Sequence, residues 1–157
     1  MKNLSRNDAI KKTRYDLISG KFLCDSKQQK NKEKNHSQGY KTLCVCGVQY
    51  LSHRLAFFII NGYLPKNVDH INGVKNDNRP LNLREATKAQ NGWNMKKSTS
   101  NSSGVKGVYW SRNAKKWAAE IYVNGKHVWL GLHLTLSDAA KAVSMAREEY
   151  HGEYRKD

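Results

Sequence analysis

Residues Val68–Asn94 read "VDHINGVKNDNRPLNLREATKAQNGWN", and the punctuation of this stretch decides how the first part of the chain folds. Val68 to His70 is strand-like, the Gly, Asn, Asp and Pro of "INGVKNDNRP" mark a turn-rich loop, and "LNLREA" returns as a second strand. Thr87 with Gln90 three residues later makes a capping box that starts a helix through "KAQNGWNM". The unit is strand, loop, strand, helix. A hairpin that folds back, with a helix covering it, brings residues of the first strand and the helix together.

The same stretch holds the groups that phosphodiester hydrolysis needs. That reaction calls for a hard cation to stabilise charge on the phosphate and leaving oxygen, and a base to deprotonate water. Asp69 and the amide oxygen of Asn91 are suitable oxygen ligands for a magnesium-like ion, and His70, with an ordinary pKa of roughly 6.5, suits a general base. Neighbours on an ideal strand point to opposite sides, so a shared site for Asp69 and His70 requires a local twist or bulge. Asn82 is the residue to brace it, by hydrogen-bonding backbone across the hairpin. Neutral amides do this without adding negative charge where a phosphate must enter. Asn72, Asn76 and Asn78 read as turn residues tolerant of left-handed backbone, and Arg79 and Arg84 stay open between phosphate contact and structural pairing.

On the N-terminal side, Ser52 opens "SHRLAFFIINGYLP", whose apolar run ends at Gly62, giving a buried helix capped at both ends. His53 reads as a hydrogen-bonded structural histidine and stays outside the site; Arg54 is undecided between DNA contact and structure. "YKTLCVCGVQYL" has strand character, and "YDLISGKFLCD" reads as a hairpin around Ser19-Gly20. Lys27 to Gln38, "KQQKNKEKNHSQ", lacks any apolar residue and reads as a solvated loop. On the C-terminal side, "KKSTSNSSG" from Lys96 to Gly104 is a polar linker. It divides the chain into domains 1–98 and 99–157.

In the second domain "GVKGVYW", "KWAAEIYV" and "KHVWLGL" are strands, with Asn124-Gly125 as a two-residue hairpin turn, and Thr135 with Asp138 caps a helix that stops at Gly152. Leu136, Ala139, Ala140 and Val143 form its inner face. Alternation sends Trp117, Ala119, Ile121 and Val123 toward that helix, and Lys116, Ala118, Glu120 and Tyr122 to the open side. The same rule sends Val128 and Leu130 inward, and His127 and Trp129 outward. An open face with aromatics near basic residues suits bases and phosphates, the alternative for Trp129 being simple cover of the sheet.

Composition narrows the partner. The chain has 157 residues, 28 Lys and Arg against 13 Asp and Glu, and a net charge of +15. That excess points to a polyanion, and its spread along the whole chain favours nucleic acid over a membrane surface. No signal-type N-terminus or membrane-length apolar run is present, so the expected location is cytoplasmic, without secretion. Cys24, Cys44 and Cys46 lack paired Cys-x-x-Cys spacing, which argues against a disulfide framework or structural zinc and for buried reduced thiols.

Two resemblances sharpen these readings. The Asp-His pair, the "DNR" turn, the "NL" of the second strand and the "QN" of the helix resemble the HNH endonuclease motif, the ββα-metal fold, in its phage and intron-encoded homing form. The resemblance implies that Asp69 and Asn91 are metal ligands, His70 the base that activates water, and Asn82 the central asparagine that holds the hairpin and orients the histidine. Many members carry histidine at the last position; asparagine here favours magnesium, with manganese as the substitute, over a zinc-binding variant. Ser103 to Tyr154 resembles the AP2 DNA-binding domain. That implies groove-facing roles for Lys106, Tyr109, Glu120, Tyr122, His127 and Trp129, with Arg112 and Lys116 as further basic contacts. Tyr109, Tyr122 and His127 stand where plant relatives have arginine, so their target sequence does not transfer.

The expected fold class is α+β: an N-terminal HNH module, then an AP2-like three-stranded antiparallel sheet on one helix. The expected function is a metal-dependent DNA endonuclease of homing type, nicking duplex DNA as a monomer, without a small-molecule cofactor. The alternatives are a DNA-binding regulator with an inactive HNH module and an RNA-directed protein, which the charge alone permits.

Overall fold

A computed structural model of the chain describes residues 4–23, 32–95 and 97–154. Cys24, residues 27–31 of the basic loop, and Lys96 at the head of the expected linker lie outside the described residues. The fold is mixed α/β, with several small sheets and a few helices in two compact units, 1–86 and 87–157. The division falls ahead of the polar linker.

The first unit begins with α1 (Arg6–Lys12), whose first turn is capped by Ser5 Oγ accepting from the Asp8 N–H at 3.0 Å. β1 (Arg14–Asp16) and β2 (Lys21–Leu23) form the hairpin read around Ser19-Gly20. β3 (Lys34–Asn35), β4 (Lys41–Val45) and β5 (Val48–Leu51) form an antiparallel sheet in that order. β3 comes from the stretch read as loop: its polar sequence has no strand period, yet its backbone pairs with the edge of β4. Cys44 and Cys46 are exposed, where buried thiols were expected. Leu43 and Val45 take the inward positions of β4, leaving Cys44 outward, and Cys46 lies in the turn with φ 52°.

α2 (Ser52–Asn61) follows β5 directly. Its C-terminus is as read, with Gly62 left-handed at φ 78° and its N–H on Phe58 O. The N-terminal cap is not: Leu51 holds that position with no side-chain hydrogen bond, because the strand runs straight into the helix and Ser52 is already helical. Leu55, Ala56 and Phe57 bury against Leu43, Val45, Phe22 and Ala9, and this core also receives Val68 and Leu83 from β6 (Val68–His70) and β7 (Leu83–Glu85). Two strands of three residues cannot hold themselves together. The apolar anchors that fix β6 and β7 on α2 therefore fix the loop between them.

In the second unit the Thr87/Gln90 capping box forms with both hydrogen bonds, at 3.2 and 2.7 Å, and opens α3 (Lys88–Trp93). β8 (Val108–Ser111), β9 (Lys116–Val123) and β10 (Lys126–His133) make an antiparallel sheet with β9 central. Asn124 and Gly125 both take positive φ, 49° and 81°, which the two-residue turn requires. α4 (Leu136–His151) lays Ala139, Val143 and Ala146 on Val108, Ala119 and Ile121, with Trp117, Val123, Val128 and Leu130 at the margin. Ala140 is outside this cluster, which Ala146 enters instead. Among the described residues, no helix is long and apolar enough to cross a membrane.

Candidate active site and nucleic-acid face

The first-unit site is built on β6, where Asp69 and His70 are adjacent and buried, 8% and 4% exposed. The ladder is regular, with Asp69 opposite Arg84 and His70 opposite Leu83 and no register shift. Of the two distortions expected there, twist or bulge, the bulge is therefore absent and twist is the one left. Arg84 donates from Nε and Nη2 to Asp69 Oδ2, each at 3.0 Å. With side-chain exposures of 12% and 10%, the guanidinium is what makes an enclosed carboxylate tolerable. Arg79 is likewise in structural pairing, with Asp77, and Arg54 donates to the carbonyls of Pro65 and Lys66.

His70 faces a different set of groups. Its Nε2 lies 3.0 Å from Asn78 Oδ1, and its ring is 5.0 Å from His53 and 6.1 Å from Tyr40. Burial pushes the His70 pKa below its ordinary value, opposed by the bond with Asn78 and by Asp69 and Asp77. The imidazole is thus neutral near pH 7, the form that accepts a proton. Burial, with His70 and Arg54 adding to it, takes His53 down to about 3. His53 was read as a hydrogen-bonded structural histidine outside the site; its Nδ1 is enclosed without a hydrogen-bond partner among the described residues, and its ring packs on His70. No spacing in the sequence joins the start of α2 to β6. The shared core does.

Asn82, 7% exposed, spans the loop: its Oδ1 accepts from the Asn72 N–H at 2.9 Å and its Nδ2 donates to Asp77 O at 2.7 Å. Asn72 and Asn76 lie in turns, as read, but none of the three asparagines takes the left-handed backbone they would tolerate; Gly73 does, at φ 66°. Asn72 instead accepts the Val74 N–H on its own Oδ1 at 2.8 Å, an Asx turn. Asn78 is 1% exposed and bonded to His70, a role the sequence reading missed because an Asn between Asp and Arg in a polar loop has the same signature as a turn residue.

Asn91 belongs to the second unit, on α3, whereas Asp69 and His70 belong to the first. Its Oδ1 is buried and has no hydrogen-bond partner among the described residues. An amide oxygen enclosed without a donor is costly unless something electropositive meets it, and a hard cation is such a group. Among the described residues, no cluster of three or more His, Cys, Asp or Glu side chains forms. A hard divalent ion keeps several waters and needs few protein oxygens; the Asp69 carboxylate in the first unit and the Asn91 amide oxygen in the second are each, taken separately, oxygen donors of that type.

The outward face of the second unit's sheet carries Tyr109, Tyr122 and Trp129, each 44–55% exposed. His127 stands opposite Tyr122 with its ring at 4.4 Å, edge to face, and its Nδ1 is 3.8 Å from Glu120 Oε1. Lys116 is on the same alternation and Arg112 is exposed in the turn before it. Lys106 departs from the expected groove-facing role. Its Nζ donates to the carbonyls of Gly92, Trp93 and Met95 at 3.4, 2.9 and 2.8 Å, closing the end of α3, and burial brings its pKa down to about 8. Helix ends leave carbonyls in want of donors, and a half-buried ammonium supplies three at once.

Residues 50–93 match the HNH endonuclease family. Over 97 residues the chain is 35% identical to Protein 3.8 of Escherichia phage T7, covering 60% of this chain and 78% of that protein. No solved structure matches the chain.

Proposed function

This chain belongs to the family of phage T7 Protein 3.8 and carries an HNH endonuclease domain, and from that premise we propose that it is a metal-dependent DNA endonuclease of homing type that nicks duplex DNA. The observation that supports this most is His70, buried and hydrogen-bonded to Asn78, next to Asp69 on the strand within the HNH segment. In this reading His70 takes the proton of the attacking water as general base. Asn82 keeps the loop that carries Asn78 from shifting. Asp69 and Asn91 are the residues that would hold a divalent ion, magnesium before manganese. When bound, the ion supplies Lewis-acid stabilisation of charge on the phosphate and leaving oxygen.

The AP2-like second unit is the part that finds the DNA. Its outward aromatics and nearby Arg112 and Lys116 are suited to base edges and phosphates, and the net charge of +15 supplies the salt-dependent part of affinity. One His70 per chain makes a monomer that cuts one strand the natural product-former. The setting is the cytoplasm of a phage-infected cell.

The test is incubation of supercoiled plasmid and of DNA from the source genome, with magnesium or with chelator, using wild type beside His70→Ala. Magnesium-dependent relaxed circles that disappear in the variant are expected. Binding by both proteins with cleavage by neither would replace the enzyme with a DNA-binding regulator.

A further inference from the structure

The residues that hold Asn78 come from far outside the segment that matches the HNH family. Tyr15, on β1, donates its hydroxyl to the Asn78 carbonyl at 2.5 Å. The same hairpin brings Gly20 against the Asn78–Arg79 peptide: a Cβ there would stand 2.7 Å from the Asn78 carbonyl carbon and clash with the Arg79 nitrogen. Gly20 also takes φ 68°, so its lack of a side chain serves both the turn and the approach. Phe22 of β2 anchors the hairpin in the core and packs its ring on Tyr15 at 5.0 Å. Asn78 is thus gripped through its backbone on one side while its side chain meets His70 on the other.

An amide oxygen can only accept, so a ring nitrogen bonded to it must carry a proton. Which nitrogen bears the proton is set by the bond the other one makes. We infer that the N-terminal hairpin is a positioning element of the active site: through Tyr15 and Gly20 it clamps Asn78, and Asn78 Oδ1 fixes His70 as the Nε2–H tautomer, leaving Nδ1 as its basic nitrogen. This deepens the nuclease reading and rests on it for the use made of Nδ1. When the water proton arrives on Nδ1, the Nε2–H stays on Asn78, and the imidazolium charge is shared with that bond without any second proton moving. Asn78, Tyr15 and Gly20 touch neither substrate nor metal in this scheme and act only through His70.

The experiment is nitrogen–proton correlation of the histidine imidazoles in the full chain at one fixed pH, with the His70 signals assigned by their loss in His70→Ala. A protonated Nε2 and an unprotonated Nδ1 are expected; a protonated Nδ1 overturns the inference whatever the protein does to DNA. Asn78→Leu, which removes the acceptor, should let the Nδ1–H tautomer appear, and Asn78→Asp, which keeps an acceptor, should restore Nε2–H. The Cβ added by Gly20→Ala would press on the Asn78–Arg79 peptide, whereas Tyr15→Phe leaves the ring packing and removes only the hydroxyl, so it should fold. It should raise the minor tautomer and lower kcat several-fold with KM unchanged, while Asn78→Leu should cost about a hundredfold or more in kcat, the ordinary range of general-base catalysis. Unaltered tautomers and kcat in Tyr15→Phe would remove the hairpin from the site. If the tautomers behave as stated and wild type leaves plasmid uncut, the clamp stands and the nuclease reading falls.

Discussion

Replacing Asn82 with alanine tests the loop that carries the site. The side chain makes two hydrogen bonds to backbone, from the Asn72 N–H at 2.9 Å and to Asp77 O at 2.7 Å, and is 7% exposed. A neutral hydrogen bond contributes about 1 kcal/mol net, and a partner left stranded in the interior costs more. Asn72 is exposed and water can reach it, so the lower end applies and the loss should be about 2 kcal/mol. The readout is amide hydrogen exchange, which resolves local opening that a melting curve averages over the whole chain. Protection of the Asn72 amide should fall about thirtyfold, the equivalent of about 2 kcal/mol. The Ile71 amide is the internal control, since it donates at 2.9 Å to the Asn82 backbone carbonyl, which alanine retains. An Asn72 amide that loses less than about threefold would refute the brace, and equal losses at Ile71 and Asn72 would show that the whole hairpin had opened instead.

Leu55→Ala removes a fully buried side chain at the centre of the first core and should destabilise that unit by about 2–5 kcal/mol. Circular dichroism is the probe, because all four tryptophans lie in the second unit, and a midpoint lowered by less than about 4 °C would contradict the core assignment. Asp77 is held at about 2, first of all by Arg79, against an ordinary 3.8. A depressed carboxylate stabilises above its unfolded pKa and ceases to as pH falls through about 2. Asp77→Asn should therefore cost about 1 kcal/mol at most at neutral pH, Arg79 being 56% exposed, and the gap to wild type should close in acid between pH 3.8 and about 2. A gap that persists below that range would assign the loss to shape rather than charge. Trp129→Ala, at a side chain 55% exposed, should weaken duplex binding by about tenfold in fluorescence anisotropy with an unchanged thermal midpoint; unchanged affinity would return Trp129 to covering the sheet.

Local signals carried a large part of this protein. The Thr87/Gln90 box, the Asn124-Gly125 turn and the Gly62 stop are each decided within a few residues, by capping and by backbone conformations that few residue types adopt, and each appears where it was read. Strand parity in β9 worked because one face meets a helix and the other does not. Parity could not foresee β3, whose pairing depends on the edge offered by β4, nor that Lys106 turns to the end of α3. Ser52 had the composition of a cap and lacked the turn in which a cap sits.

By itself, the amino-acid sequence determined most of the elements, a charge of +15 suited to a polyanion, and the residue types on which a phosphodiester-cleaving site depends. Which amide meets the histidine was decided only by tertiary structure. Asn72, Asn76, Asn78 and Asn82 are chemically the same side chain in one polar loop, and a hydrogen bond needs an acceptor within about 3 Å of its donor. That distance is set by Phe22, Leu55, Val68 and Leu83 packing in one core, and by a hairpin more than fifty residues away in the chain whose glycine and tyrosine hold Asn78 against His70.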